Sequence, residues 1–283
     1  MPPPPRTAHA KGILLRGTFT PTARAGELSK APHFTAPSTP VIGRFSSSTG
    51  IPNLPDTDAN GNPRGFALRF TLAETPRRVH TDIITHSTPF FPAGTVDDAL
   101  GFFSSVADGS VGQWVGTHPE ALAFVTAPKP FPSGFAREKY FGVNAFKLVS
   151  ASGAETAVRY RFAPAAGEDH LDDEAVKTKG PDYLYEGVPE ALSAGPIVFK
   201  LLAQVAREGD VTNNNTVHWP EDRELAELGT VSLDALYDGG ADAEKGLIFD
   251  PIPRVDGVEP SDDPLLDLRA TLYLLSGRER RAA

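Results

Sequence analysis

The chain contains no cysteine and a single methionine, its first residue. Without thiols there can be no disulfide, no thiolate on a metal and no cysteine nucleophile. Scarcity of sulfur suits a protein that meets peroxides, because Cys and Met are readily oxidised. The lack of disulfides fits a reducing cytoplasm, the expected location. No run of about 18 apolar residues occurs, so no membrane span is expected. Met1–Arg6 leads into no long apolar stretch, so no secretory leader is expected. Positive charge is in deficit: the net charge is −9 and no basic stripe is visible, which sets nucleic acid aside as a partner.

What is abundant is turn chemistry. The 26 Gly and 27 Pro imply many tight connections and a β-rich scaffold rather than a helical bundle. Ile13–Thr20, Pro40–Ser46 and Val79–Thr85 read as strands. Gly65–Leu72 is the cleanest, with Phe66, Leu68, Phe70 and Leu72 alternating with Ala67, Arg69 and Thr71. Tyr140–Val149 and Ala157–Phe162 are read as two strands of a hairpin joined by 150–155. Helices are expected from Thr95, from Thr117 as a capping residue before Pro119 and Glu120, over Pro189–Ser193 and, more strongly, over Pro196–Arg207. Asp210–Asp222 is a polar loop. No repeat or linker interrupts residues 1–283, so one domain is expected.

The last helical stretch carries the chemistry. Asp262 or Asp263 can cap it, and Pro264 suits its first position. Leu265, Leu266, Leu268, Leu272, Leu274 and Leu275 wrap most of its circumference, which predicts a largely buried helix. Arg269, Tyr273, Ser276 and Arg280 fall on one face. Two readings are open. Tyr273 could be an ordinary buried phenol bonded to a carbonyl, with Arg269 paired to a carboxylate at the rim. Alternatively, a guanidinium ~4 Å from the phenolic oxygen contributes ~4 kcal/mol of attraction at an effective dielectric near 20. That favours a tyrosinate, a hard anionic ligand suited to ferric iron.

Several collinear segments resemble one family. Arg269-Ala270-Thr271-Leu272-Tyr273 resembles the proximal ligand signature of haem catalases. Arg6-Thr7-Ala8-His9-Ala10-Lys11-Gly12 is similar to their distal-histidine segment, and Thr39-Pro40-Val41-Ile42-Gly43-Arg44-Phe45-Ser46 to the strand that follows it. Asn62–Phe70, Phe141–Val149 and Asp250–Ser261 also resemble family segments. The resemblance implies an α+β fold: a catalase-like antiparallel β-barrel with surrounding helices, and haem between the barrel and the C-terminal helix.

It also implies roles. Tyr273 would bind the iron of haem b (ferric protoporphyrin IX), and Arg269 would keep its phenol ionised. His9 would be the distal acid/base, held by Ser46. Arg6, Arg44 and Arg280 would meet the propionates. Phe91 and Phe102 are the aromatics expected against the haem face, though either would serve as plain core. In the family an Asn orients the peroxide, and here His86 stands at that place. Neither the long C-terminal helical part nor the N-terminal arm of full-size catalases is expected. The chain therefore resembles the small catalase-related peroxidases. Losing the Asn and a long access channel should weaken reaction with a second hydrogen peroxide, so the expected activity is reduction of organic hydroperoxides, and of hydrogen peroxide only weakly, using a small-molecule electron donor. Hydrogen peroxide dismutation, lipid-hydroperoxide rearrangement, and haem binding or peroxide sensing without turnover are the alternatives. A homodimer is one assembly left open.

Overall fold

The computed structural model describes residues 6–239 and 244–282. Twelve strands are present among them: β1 (Gly12–Pro21), β2 (Thr39–Ser46), β3 (Gly65–Ala73), β4 (Val79–His86), β5 (Phe131–Pro132), β6 (Tyr140–Phe141), β7 (Phe146–Val149), β8 (Glu155–Pro164), β9 (His170–Leu171), β10 (Ile197–Val205), β11 (Leu225–Leu236) and β12 (Val258–Pro260). The main sheet runs β10-β11-β1-β2-β3-β4-β6-β8-β7-β12, and an additional β10–β8 pairing closes its first eight strands into an antiparallel barrel. Closure leaves these strands no free edge.

The pleat sends alternate residues to opposite faces. Inward go Leu15, Phe45, Phe66, Leu68, Phe162 and Phe199, all fully buried. Phe66 lies at the centre, its ring 4.8 Å from Phe45, 4.8 Å from Phe162 and 5.2 Å from Phe199. Outward from β1–β4 the register sets up three rungs. One is Arg16–Ile42–Arg69–Asp82, in which Asp82 takes two hydrogen bonds (2.8 and 2.7 Å) from the buried Arg69 guanidinium. The next is Leu14–Arg44–Ala67–Ile84, and the last is Gly12–Ser46–Gly65–His86.

Eight helices are used below or flank the barrel: α1 (Ala23–Leu28), α2 (Pro32–Thr35), α3 (Val96–Asp108), α4 (Val111–Val115), α5 (Pro119–Thr126), α6 (Asp173–Lys177), α7 (Tyr183–Ala194) and α8 (Leu265–Ala282). Asp263 accepts the Leu265 amide at 2.9 Å, the cap expected from the sequence.

Four expectations need correction. Pro196–Arg207 is not a helix; it is β10, whose Ile197, Phe199, Leu201 and Ala203 face the core at period two. An apolar run of that length fits both periods, and pairing with β8 and β11 decides. Tyr140–Val149 is two strands rather than one, because Gly142–Ala145 leaves the sheet and carries Asn144 toward α8. The cap of α5 is His118 without a side-chain bond, while the Thr117 hydroxyl donates back to the Trp114 carbonyl. Finally, α8 is not largely buried: Leu272, Leu274 and Leu275 are 43–48% exposed. Leucines spread around a helix do not specify which face docks. The face with Arg269, Tyr273 and Arg280 is the one turned inward.

Candidate active site

The glycines of the last rung make space that two other side chains fill. A Cβ on Gly12 would lie 2.2 Å from the Arg44 guanidinium carbon. A Cβ on Gly65 would lie 2.6 Å from Ser46 Oγ and 2.8 Å from His9 Nδ1. His9 therefore lies over Gly65, its Nδ1 3.0 Å from Ser46 Oγ. It reaches this place from a short segment ahead of β1, anchored by its amide to the Ser48 carbonyl at 3.2 Å. Its φ is +54°, a left-handed conformation that costs a non-glycine residue about 1 kcal/mol or more. Burial, then Arg44, Arg269 and Arg6, pull its pKa down to about 3. The ring is neutral at any physiological pH.

His86 ends the same rung. Its Nδ1 accepts the Thr88 amide at 3.4 Å, and the rings of Phe91 and Phe124 pack edge-to-face with it, centroids 6.3 and 6.4 Å away. Burial, followed by His9 and Arg269, also brings its pKa to about 3. Phe91 is thus beside the site. Phe102 is not; it packs behind Phe124, ring to ring at 6.3 Å.

The facing wall is α8. Arg269 Nη2 donates to Tyr273 Oη at 3.3 Å, and Nη1 donates to Asn144 Oδ1. Asn144 Nδ2 in turn donates to Asp263 Oδ2 at 2.8 Å. One aspartate therefore caps the helix and anchors the Arg269 side chain through Asn144. The Arg269 charge on this helix contributes to lowering the pKa of both His9 and His86.

Three guanidiniums gather at one end. Arg44 donates to the carbonyls of His9 (3.0 Å) and Ala10 (3.4 Å) and meets Glu244 at 3.4 Å. Arg6 and Arg280 share the Leu247 carbonyl at 2.9 and 3.4 Å. Burial and then Arg44 and Arg280 lower the pKa of Arg6 to about 9, while burial and then Arg44 lower that of Arg280. Among the described residues Glu244 is the one carboxylate paired with this trio.

The family model for catalase matches residues 3–283 of the chain. The chain belongs to the catalase family. It is 31% identical to a catalase-related peroxidase of Synechococcus elongatus, over 97% of this chain and 83% of the relative. It is 32% identical to one of Mycolicibacterium paratuberculosis, over 97% and 88%. A bacterial catalase structure superimposes with a TM-score of 0.86 at 27% identity, over 98% of this chain but 58% of that one.

Catalases are haem-dependent, and the site can be tested for that fit on its own atoms. Buried cations need anionic partners. Among the described residues, three guanidiniums face one carboxylate, an excess that a dicarboxylate would satisfy, and the buried Nε atoms of Arg44 and Arg280 have no partner there. The outward rung Leu14–Arg44–Ala67–Ile84 supplies an apolar floor, extended by Leu247 and Phe249. An apolar disc with two carboxylates, which haem is, matches this set.

Of the nine residues named from the sequence, the structure brings His9, Ser46, Arg6, Arg44, Phe91, Arg269, Tyr273 and Arg280 to this space and leaves Phe102 a layer back. Gly277 does not end α8, which continues to Ala282 and so carries Arg280. Sequence reasoning gave no role to Asn144, Phe124, Glu244, or the glycines at 12 and 65. Asn144 lies inside a segment that resembles the family, so its signal was present; Phe124 and Glu244 have none.

Proposed function

We propose that the chain is a haem b peroxidase that reduces organic hydroperoxides, and hydrogen peroxide weakly, with electrons from a small-molecule donor. The observation that carries the reading is the two-walled arrangement. The His9–Ser46 pair stands on the sheet, Arg269–Tyr273 on the helix, and three guanidiniums lie at one end. Tyr273 would ligate the iron through its phenolic oxygen, with Arg269 donating to that oxygen and compensating its charge. Arg6, Arg44 and Arg280 would hold the propionates. When bound, haem supplies the Lewis-acidic, redox-active iron at which the O–O bond is broken.

The residues of the chain move the proton. With Nδ1–H directed at Ser46 Oγ, His9 presents a free Nε2. That nitrogen takes the proton of the inner peroxide oxygen and returns it to the outer one, which leaves as the alcohol. The balance is ROOH plus two electrons and two protons to ROH plus water, with the electrons from the external donor.

The visible spectrum of the purified protein beside Tyr273→Phe, followed by turnover of cumene hydroperoxide with a dye donor, tests this. A high-spin ferric spectrum that shifts or vanishes in the variant, with dye oxidation lost in His9→Ala, supports the assignment. A spectrum unchanged in Tyr273→Phe removes Tyr273 as the ligand.

A further inference from the structure

Outside the candidate active site, three metal-ligating side chains meet beside the β5–β9 ribbon. Glu138 lies just ahead of β6, in a segment fixed by the core on both sides. Phe135 stacks on Phe45 with ring centroids 5.0 Å apart, and the Tyr140 hydroxyl donates to the Phe135 carbonyl at 2.9 Å. His170 opens β9, opposite Pro132 of β5. Glu168 stands two residues earlier, in the connection from β8 to β9. Backbone bonds lace these segments together: the Asp169 amide donates to the Arg137 carbonyl (3.0 Å), and the Ser133 amide to the Asp169 carbonyl (2.9 Å). One ligand atom from each of Glu138, Glu168 and His170 lies within 4.8 Å of the other two.

Glu138 distinguishes this cluster from an ordinary group of surface acids. Its side chain is only 7% exposed, and its ion-pair partner among the described residues is His170 alone. Both of its described side-chain bonds go to Oε1, from the Lys139 amide at 2.9 Å and with His170 Nε2 at 3.4 Å; Oε2 has none. Burial raises its pKa, as expected of a carboxylate short of compensating charge. A cation would supply that charge.

The spacing and the ligand types indicate which cation. The 3.4 Å contact between His170 and Glu138 is long for a charge-assisted hydrogen bond, which is about 2.7–2.9 Å. It matches the edge, about 3.4 Å, of a tetrahedron with metal–ligand bonds of about 2.1 Å. An imidazole nitrogen with two carboxylates suits Zn²⁺ and related ions, whereas Ca²⁺ and Mg²⁺ prefer oxygen alone. Glu168 is held by the Lys139 ammonium at 2.7 Å, but the two side chains are 40 and 33% exposed. Exposed pairs of this kind contribute little and yield to a metal ion. The partly exposed His170 and Glu168 side chains leave a way in from solvent and a fourth position for water.

We propose that Glu138, Glu168 and His170 form a binding site for a divalent transition-metal ion of the Zn²⁺ type, which ties the β5–β9 ribbon to the start of β6. The site shares no residue with the haem reading and does not depend on it.

The test is calorimetric titration of ZnCl₂ into the untagged protein, in the haem state in which it is isolated, after treatment with a chelator. One ion per chain should bind. Affinity should fall at least about tenfold in His170→Ala and in Glu138→Gln, each of which removes one ligand. Lys139→Met should raise it severalfold by removing the competing ammonium. Zn²⁺ should raise Tm in the wild type and not in His170→Ala. Neither CaCl₂ nor MgCl₂ at the same concentration should displace it. His170 is partly exposed, so its variant carries the test if Glu138→Gln fails to fold. No uptake of Zn²⁺ overturns the inference. So does uptake that His170→Ala leaves unchanged, which would place the ion at another histidine such as that of the His218–Glu221 pair. Displacement by Ca²⁺ overturns the assignment to a transition metal.

Discussion

His9 Nδ1 lies 3.0 Å from Ser46 Oγ, and the pair exists because the facing position on β3 is glycine. The rung Gly12–Ser46–Gly65–His86 explains why the arrangement is rigid. The hydroxyl is on a central barrel strand, the imidazole rests on bare backbone beside it, and the Arg44 guanidinium occupies the other glycine's space. Placement of the base is thus a property of the sheet, although the base itself comes from an irregular segment.

Gly65→Ala should therefore damage the site more than Ser46→Ala. The alanine methyl meets His9 Nδ1 at 2.8 Å and must push the ring away. Loss of peroxide turnover of 100-fold or more, on the order of 3 kcal/mol, is expected. Ser46→Ala removes one hydrogen bond, worth about 1 kcal/mol, and should lower turnover about fivefold with little change in Tm. Single-turnover kinetics on both variants check this. Equal losses would mean that Gly65 is not what holds the ring in place.

The same comparison shows what the sequence could and could not reveal. Arg269 and Tyr273 were legible because a four-residue spacing fixes a helix face wherever the helix docks. His9, Ser46 and Arg44 were legible through segments that resemble a family, not through their own chemistry. The docking face of α8 was not legible, because six leucines around a helix are compatible with several faces and the polar stripe is the one turned inward. Nor was β10, whose apolar positions satisfy a helix and a strand equally; barrel closure by its two neighbours selects the strand. The anchoring of Arg269 by Asn144 depends on a contact across 125 residues, which no local pattern encodes.

A pH prediction comes from a histidine outside the site. His33 is buried between the rings of Phe34 (4.0 Å) and Phe70 (4.6 Å), and burial brings its pKa down from 6.5 to about 3. Between those values the unfolded chain binds a proton that the folded one does not. Stability is therefore full above pH 6.5 and falls as pH drops toward 3, by about 1.4 kcal/mol per pH unit for this group. His9 and His86 act in the same direction. The urea midpoint of the cofactor-free protein should drop between pH 7 and pH 5. His33→Leu should flatten that slope by about one proton, worth about 2 kcal/mol at pH 5. An unchanged slope would mean that His33 is protonated in the folded protein.

Arg280 yields a prediction with opposite signs in the two forms of the protein. Its guanidinium is buried near those of Arg6 and Arg44; Arg44 lowers its tendency to hold charge, and Arg44 and Arg280 together lower that of Arg6. Its own bonds are modest: Ser276 at 3.0 Å and the Leu247 carbonyl at 3.4 Å. Replacing it by glutamine relieves like-charge crowding while keeping a polar group of similar length. The cofactor-free Arg280→Gln protein should therefore be as stable as wild type, or more so by up to about 1 kcal/mol. Haem retention should move the other way. If Arg280 pairs with a propionate, losing that charge-assisted bond of about 1.5–3 kcal/mol should speed haem loss to a scavenger globin by about 10- to 100-fold. Thermal unfolding of the cofactor-free protein and transfer kinetics of the loaded one measure the two effects separately. A variant destabilised in both forms by the same amount would show that Arg280 serves the packing of α8 and not the carboxylates of the cofactor.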